Sequence, residues 1–333
     1  MWAYVKKDKN FKTKTKFLCA VKKHPEWEEW TNLATGTGQI KIPCGQCIDC
    51  RLAKSREWAN RCILEMKDHE HNYFVTVTYA PEYLPTKDGV NLETGELIKV
   101  GTLNTDDHEK FMKDLRRYWE YHYNHQNIRM FMCGEYGELR ERPHMHYILF
   151  NLPIFDLEFS HKSKKGIPIY TSAIIEKIWG KGRVAIQEVN WEACAYTARY
   201  VLKKQTGKGA EDYYNQIGRE PEFTRCSRKP GIGWNYFNQN KKLIYQTDEI
   251  FIPTKKGIQH LKPAKYYDKL FDIEEPIQMA KIKRARKEAS VLVEANKLLH
   301  TDKGYTEMQE TAEYCKDQQI KALRRKYEKE GTF

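Results

Sequence analysis

Polar and apolar positions alternate in two ways along this chain, and each way predicts an element. "YFVTVTY" (residues 73–79) alternates with period two and is rich in β-branched and aromatic side chains, so it reads as a strand. "IRMFMCGEY" (128–136) and "HMHYILF" (144–150) read as two more, and the short, turn-rich "GELRERP" between them predicts an antiparallel hairpin. "RVAIQEV" (183–189) is a fourth. Helical periodicity governs other segments. Residues 51–69 place Leu52, Ala59, Cys62, Ile63 and Met66 on one face. Asn104 or Thr105 caps a helix with Asp106 and Asp107 in its first turn and a stripe of Phe111, Leu115, Tyr118, Trp119 and His122. "TSAIIEKIW" (171–179) is a helix stopped by Gly180, and "WEACAYTARYVLKK" (191–204) is another. The order β, α, β, β, α, β, α predicts an α+β fold, a central antiparallel sheet flanked by helices. Residues 80–103 read as irregular or hairpin-like, 227–237 as a Gly/Pro loop, and the chain beyond about 277 as charged helix.

Composition narrows the function classes. The chain has 333 residues, and 57 Lys and Arg stand against 45 Asp and Glu, a net charge of +12. That excess points to a polyanion, although a generic basic protein shares it. The 21 tyrosines suit a single strand whose bases stack on rings. No stretch is apolar enough to span a bilayer, and the N-terminus lacks the apolar core of a signal peptide. A reducing compartment follows, in which the nine cysteines serve as thiols or metal ligands rather than disulfides.

Three constellations carry candidate chemistry. His144 and His146 lie two apart on a predicted strand and so share a face, with Glu135 near them at the end of the partner strand and Glu138 as a competitor. Two imidazoles and a carboxylate leave open positions on a metal; two polar positions on an ordinary strand are the alternative. Tyr196 and Tyr200 are four apart on a predicted helix, each with a cation three residues on, Arg199 and Lys203, and Lys204 follows. A nearby cation favours the phenolate or holds a phosphate oxygen, whereas core packing is the plainer role for such a pair. Cys44, Cys47 and Cys50 are spaced C-x₂-C-x₂-C, and Cys19 or His24 would complete a tetrahedral zinc site; an iron–sulfur cluster also uses such spacing. "SRKPGIGW" could wrap a phosphate with backbone N–H groups, helped by Arg228 and Lys229, or be a structural turn. The basic "KIKRARK" is either a DNA-backbone contact or a solvated helix face.

These residues together resemble a known family. "RPHMHYILF" is similar to the His-hydrophobe-His motif of HUH endonucleases, "YTARYVLKK" to the paired-tyrosine motif of their rolling-circle replication initiators, and "FVTVTY" to the strand motif preceding both. "PCGQCIDCRLAKSREWANRC", "GEYG", "RPHMH" and "SRKPGIG" resemble the replication initiators of microviruses, small single-stranded DNA phages, especially the gokushovirus branch. The resemblance implies an HUH-nuclease core of the RNA-recognition-motif type, with an N-terminal zinc segment and a helical C-terminal region. It implies Mg²⁺ or Mn²⁺ held by His144, His146 and Glu135, and nucleophilic Tyr196 and Tyr200 that leave a 5′-phosphotyrosine and a free 3′-hydroxyl. Arg199 cannot shuttle a proton, which leaves Lys203 to tune a tyrosine. The substrate implied is single-stranded DNA at a replication origin. Host helicase and DNA polymerase are the implied partners, because no P-loop is present, and the place of action is the cytoplasm of a bacterial host.

The expected organisation is a zinc segment (1–50), the nuclease core (51–205), an extension carrying the SRKPGIG loop (206–275) and a charged helical tail (276–333). A transposase or relaxase with the same chemistry, a non-catalytic zinc-containing DNA-binding module and a small-molecule metallohydrolase are the competing functions. The last predicts a further histidine on a nearby strand, and none stands out.

Overall fold

The structure, a computed structural model, describes residues 2–7, 13–18, 38–41, 48–137, 141–163, 166–190, 193–194, 197–198, 209–254 and 257–329. The chain divides into two units, Met1–Lys54 and Ser55–Phe333. In the first, β1 (Trp2–Lys7), β2 (Thr13–Leu18) and β3 (Gly38–Lys41) form an antiparallel sheet in the order β2-β1-β3. The polar cast of this segment hid those strands.

The second unit is built on seven strands. They are β4 (Asn72–Thr78), β7 (Arg129–Tyr136), β8 (Pro143–Phe150), β9 (Glu158–Lys162), β10 (Pro168–Thr171), β11 (Val184–Glu188) and β12 (Phe223–Cys226). Their order is β12-β7-β8-β4-β11-β10-β9, and every neighbouring pair is antiparallel. The remaining strands form a small hairpin, β5 (Thr86–Val90) with β6 (Leu97–Gly101), in the stretch read as irregular or hairpin-like, and a second, β13 (Ile250–Thr254) with β14 (Gly257–Leu261).

Alternation sorts the sheet into two buried faces. Val75, Val77, Met130, Met132, Met145, Tyr147, Leu149 and Ile186 pack against α2 (Thr105–Tyr123) and α3 (Ala173–Trp179). Phe111, Met112, Leu115 and Trp119 are the buried stripe of α2, while Tyr118 is half-buried and His122 exposed. The Asn104 side chain accepts from Asp106 N, and Ser172 caps α3, which Gly180 ends with a positive φ. Phe74, Phe131, Ile148 and Phe150 face the other way, against Ala59 and Cys62 of α1 (Ile48–Met66) and against Cys194, Ala198 and Ile232. The helix α1 starts and stops three residues before the stretch predicted for it. Both faces of β7 and β8 are therefore covered, and their central residues are apolar on both sides.

Beyond β11 come α4 (Ala210–Gln216), α5 (Trp234–Thr247), α6 (Lys265–Glu274), α7 (Pro276–Leu299) and α8 (Tyr305–Lys329). Phe237, Ile244, Tyr245, Tyr267, Phe271 and Met279 make a satellite core joined to Leu64 of α1. The segment read as a loop over 227–237 is a turn only as far as Gly233, where α5 begins. Its glycines are needed for close approach: a Cβ on Gly233 would lie 2.2 Å from Tyr267 Oη, and φ there is +77°. The Gly233 N–H donates to Glu65 Oε2 at 2.6 Å and Arg61 Nε donates to Ile232 O at 3.0 Å, so this turn bolts α1 to α5. Half of the basic run on α7 is likewise structural. Arg286 bridges Asp248 and Asp268, and these carboxylates hold its guanidinium above its ordinary pKa; Lys283 pairs with Asp272 and Arg284 with Glu288. Among the described residues no helix is long and apolar enough to cross a membrane.

Candidate metal centre

The β7–β8 register sets the centre. Glu135 lies directly opposite His144, and Cys133 opposite His146. On the other side of β8, Thr76 of β4 lies opposite His146. Glu135, His144 and His146 point to the same face as Phe131 and Ile148, because all sit an even number of residues from them along their strands. Glu135 Oε1 is 2.9 Å from His144 Nε2 and 3.1 Å from His146 Nε2. The three residues offer ligand atoms all within 4.8 Å of one another.

The outer nitrogens of both rings are also engaged. His144 Nδ1 is 3.1 Å from the carbonyl oxygen of Arg142. A carbonyl only accepts, so that nitrogen carries the proton, and a neutral His144 turns a bare Nε2 lone pair towards Glu135. Two lone pairs facing each other at 2.9 Å require a cation between them, either a proton or a metal ion. His146 Nδ1 lies 2.8 Å from Thr76 Oγ1, and Phe74 stacks on the ring at 5.3 Å between centroids. Glu135 and His146 are 1% and 3% exposed, so water screens them little. Burial alone would raise the Glu135 carboxyl. The hydrogen bonds and charges of His144 and His146 outweigh it and hold the group well below the usual carboxylate range. Two imidazole nitrogens and one carboxylate oxygen, buried and pre-aimed, form a donor set that could hold a metal ion.

The other predicted site residues are dispersed. Tyr196, Tyr200, Arg199, Lys203 and Lys204 lie outside the described residues, as do Glu138, Cys19, His24, Cys44 and Cys47. Cys50 is a partly exposed free thiol. The described turns beside the tyrosines are helical: Asn190 Oδ1 accepts from Ala193 N, Cys194 N donates to Asn190 O, and Thr197 Oγ1 donates to Ala193 O. Cys194 and Ala198 are fully buried on the histidine face of the sheet. Arg228 and Lys229 are exposed beside β12 and line a groove away from the triad. Thr76 was missed as a site residue. Its signal was present in "FVTVTY", where alternation gives Thr76 and Thr78 one face, but only the pairing of β4 with β8 attaches that face to the histidines.

The fold and centre define an α+β protein whose antiparallel sheet carries a buried Glu/His/His cluster able to hold a metal. Residues 72–205, which span all three strands of that centre, match the family model described as replication-associated protein ORF2. The chain is 41% identical to the replication-associated protein ORF2 of Spiroplasma virus 4 over 234 residues, 70% of this chain and 68% of the relative. It is 28% identical to the replication-associated protein VP4 of Bdellovibrio phage phiMH2K over 228 residues, 68% and 66% of the two chains. With the replication-associated protein ORF4 of Chlamydia phage 1 it shares 30% identity over 234 residues, 69% of this chain and 53% of the relative. This chain belongs to the family of phage replication-associated proteins typified by ORF2. No solved structure matches it.

Proposed function

We propose that the chain is a two-tyrosine HUH endonuclease that nicks and rejoins single-stranded DNA, starting and ending rolling-circle replication of a small single-stranded DNA phage. The observation that carries this reading is the convergence of Glu135, His144 and His146 on one point of the sheet. Kinship with phage replication-associated proteins supports it. So does the packing of Cys194 and Ala198, which flank Tyr196 in sequence, on the histidine face.

A divalent cation in the cluster, Mg²⁺ or Mn²⁺, would supply Lewis-acid polarisation of the scissile phosphate. The chain's own residues would do the rest. The hydroxyl of Tyr196 or Tyr200 loses its proton and its oxygen attacks phosphorus. The bond to the 3′-oxygen breaks, that oxygen takes up a proton as a free hydroxyl, and the 5′-phosphate stays on the tyrosine. The second tyrosine carries the later transfer with the roles reversed. A phenol has a pKa of about 10, and the Lys203 ammonium one turn on favours its ionised form. Arg199 and Lys204 hold phosphate oxygens. In this reading the central sheet is an HUH core of the RNA-recognition-motif type. Cys19, Cys44, Cys47 and Cys50 hold a structural Zn²⁺ in the N-terminal segment. The protein works on the origin in the cytoplasm of the bacterial host, beside host helicase and polymerase.

The test is a covalent adduct. A labelled single strand of the phage's own origin, incubated with the protein and Mn²⁺ and run on a denaturing gel, should shift to a protein-linked band. Y196F/Y200F should abolish the band and H146A nearly so. Absence of an adduct with the correct origin and metal overturns the enzyme reading and leaves a DNA-binding module.

A further inference from the structure

At the other end of the β7–β8 pair, far from Glu135, the structure encloses a second polar feature. Residues of α2, the start of β7, the turn after β8 and the turn after β12 line a groove of about 870 Å³. Arg116, Arg129, Arg228 and Lys229 enter it, with Asn127 and Asn151. Arg129 and Glu135 are the first and seventh residues of β7, which at about 3.3 Å per residue sets the groove about 20 Å from the triad.

The groove carries unmatched positive charge. Arg129 is neutralised by buried Glu65, and its Nη2 donates to Pro230 O at 2.9 Å. Arg116 is anchored by Nε donating to Ile128 O at 3.1 Å, and among the described residues no carboxylate pairs with it. Arg228 and Lys229 are exposed and have no carboxylate partner there either. Glu120 is the one acid among the described lining residues, and it accepts from Gln126 Nε2 at 2.8 Å. Partial burial and the Arg129 charge both act against the Arg116 cation, a repulsion that an anion between them would relieve.

The turn that presents these cations is fixed in advance. Ser227 N donates to Met130 O at 2.9 Å, Met130 N donates to Ser227 Oγ at 3.0 Å, and the turn closes with a bridge between Arg228 and Gly231. Among the described residues no Phe, Tyr or Trp lines the groove, so it offers no platform for stacking bases. Fixed cations without rings suit sugar–phosphate backbone.

We propose that this groove is a separate phosphodiester-binding site that holds the DNA backbone about 20 Å from the cleavage centre. The proposal rests on the reading of the protein as a DNA-processing enzyme, and it names a site that the cleavage chemistry does not use. The strand held is either the nicked single strand running on from the centre or a duplex flank, and the two give different readouts.

The test is equilibrium binding of the full chain to a long fluorescent single strand and to a fluorescent duplex, each across a salt series. R228Q/K229Q removes two phosphate contacts. The slope of log K against log salt should become shallower by about 1.4 on the single strand or about 1.8 on the duplex, and whichever probe shows the change is the backbone held. R116Q should lower the slope on that same probe by about half as much. Unchanged slopes on both probes overturn the proposal. Mn²⁺ titration of R228Q/K229Q should match wild type, showing an intact fold and triad. E135Q should lose Mn²⁺ yet keep the wild-type slope, so failure of the cleavage reading and failure of the groove are told apart.

Discussion

Glu135 and His144 face each other across the β7–β8 ladder, with Glu135 Oε1 2.9 Å from His144 Nε2. His144 gives its Nδ1 proton to the Arg142 carbonyl, so the bond to Glu135 exists only with a cation present. Glu135→Gln keeps the shape but replaces the charge with an amide. Mn²⁺ affinity, measured by calorimetry, should fall by more than the ~10–100-fold usual for loss of an outer partner. An unchanged affinity would remove Glu135 from the ligand set.

Thr76 should act on the same centre one step removed. Its hydroxyl lies 2.8 Å from His146 Nδ1 and fixes which way the ring turns. Thr76→Val conserves volume and deletes that partner, and should weaken Mn²⁺ binding about 10–100-fold. Thr76→Ser keeps the oxygen and should restore most of the affinity. If Val and Ser bind Mn²⁺ alike, the hydroxyl does not position the ring.

What could be read from the sequence follows the range of the signal. The β7–β8 hairpin was legible because its strands are long, alternate cleanly and are joined by a short turn. The triad followed, since a hairpin register is local. The α2 helix was legible from its stripe and from Asn104. Thr76 was not, because it meets His146 across a pairing of strands seventy residues apart. The strand β9 is exposed at every position and shows no alternation, and β12 is four residues long, so neither carries a pattern. The helix α5 was masked by the Gly/Pro turn just before it, whose glycines serve contacts with Glu65, Tyr266 and Tyr267 that no local signal announces.

The cysteine block should load independently of the triad. Cys44, Cys47 and Cys50 with Cys19 predict about one tightly held zinc per chain by elemental analysis after dialysis. Cys44→Ser with Cys47→Ser should bring zinc close to zero while Mn²⁺ binding at Glu135, His144 and His146 persists. Folded wild-type protein free of zinc would end the idea.

His108 should give the fold an acid limit. It is buried under the sheet with Nδ1 3.2 Å from Tyr147 Oη. Burial first, then the charges of Arg225 and Arg116, lower its pKa from 6.5 to about 4. The unfolded chain binds a proton at His108 below about pH 6.5, whereas the folded chain resists it until about pH 4. The neutral ring's contribution is therefore complete above pH 6.5 and is lost as pH falls towards 4, by about 3 kcal/mol in all. His108→Gln fills the site with a group that does not titrate. Urea unfolding from about pH 7.5 down to about pH 4.5 should show wild-type stability falling more steeply than that of the variant, so that the gap between them narrows with acid. Parallel curves would mean that the proton is taken up elsewhere.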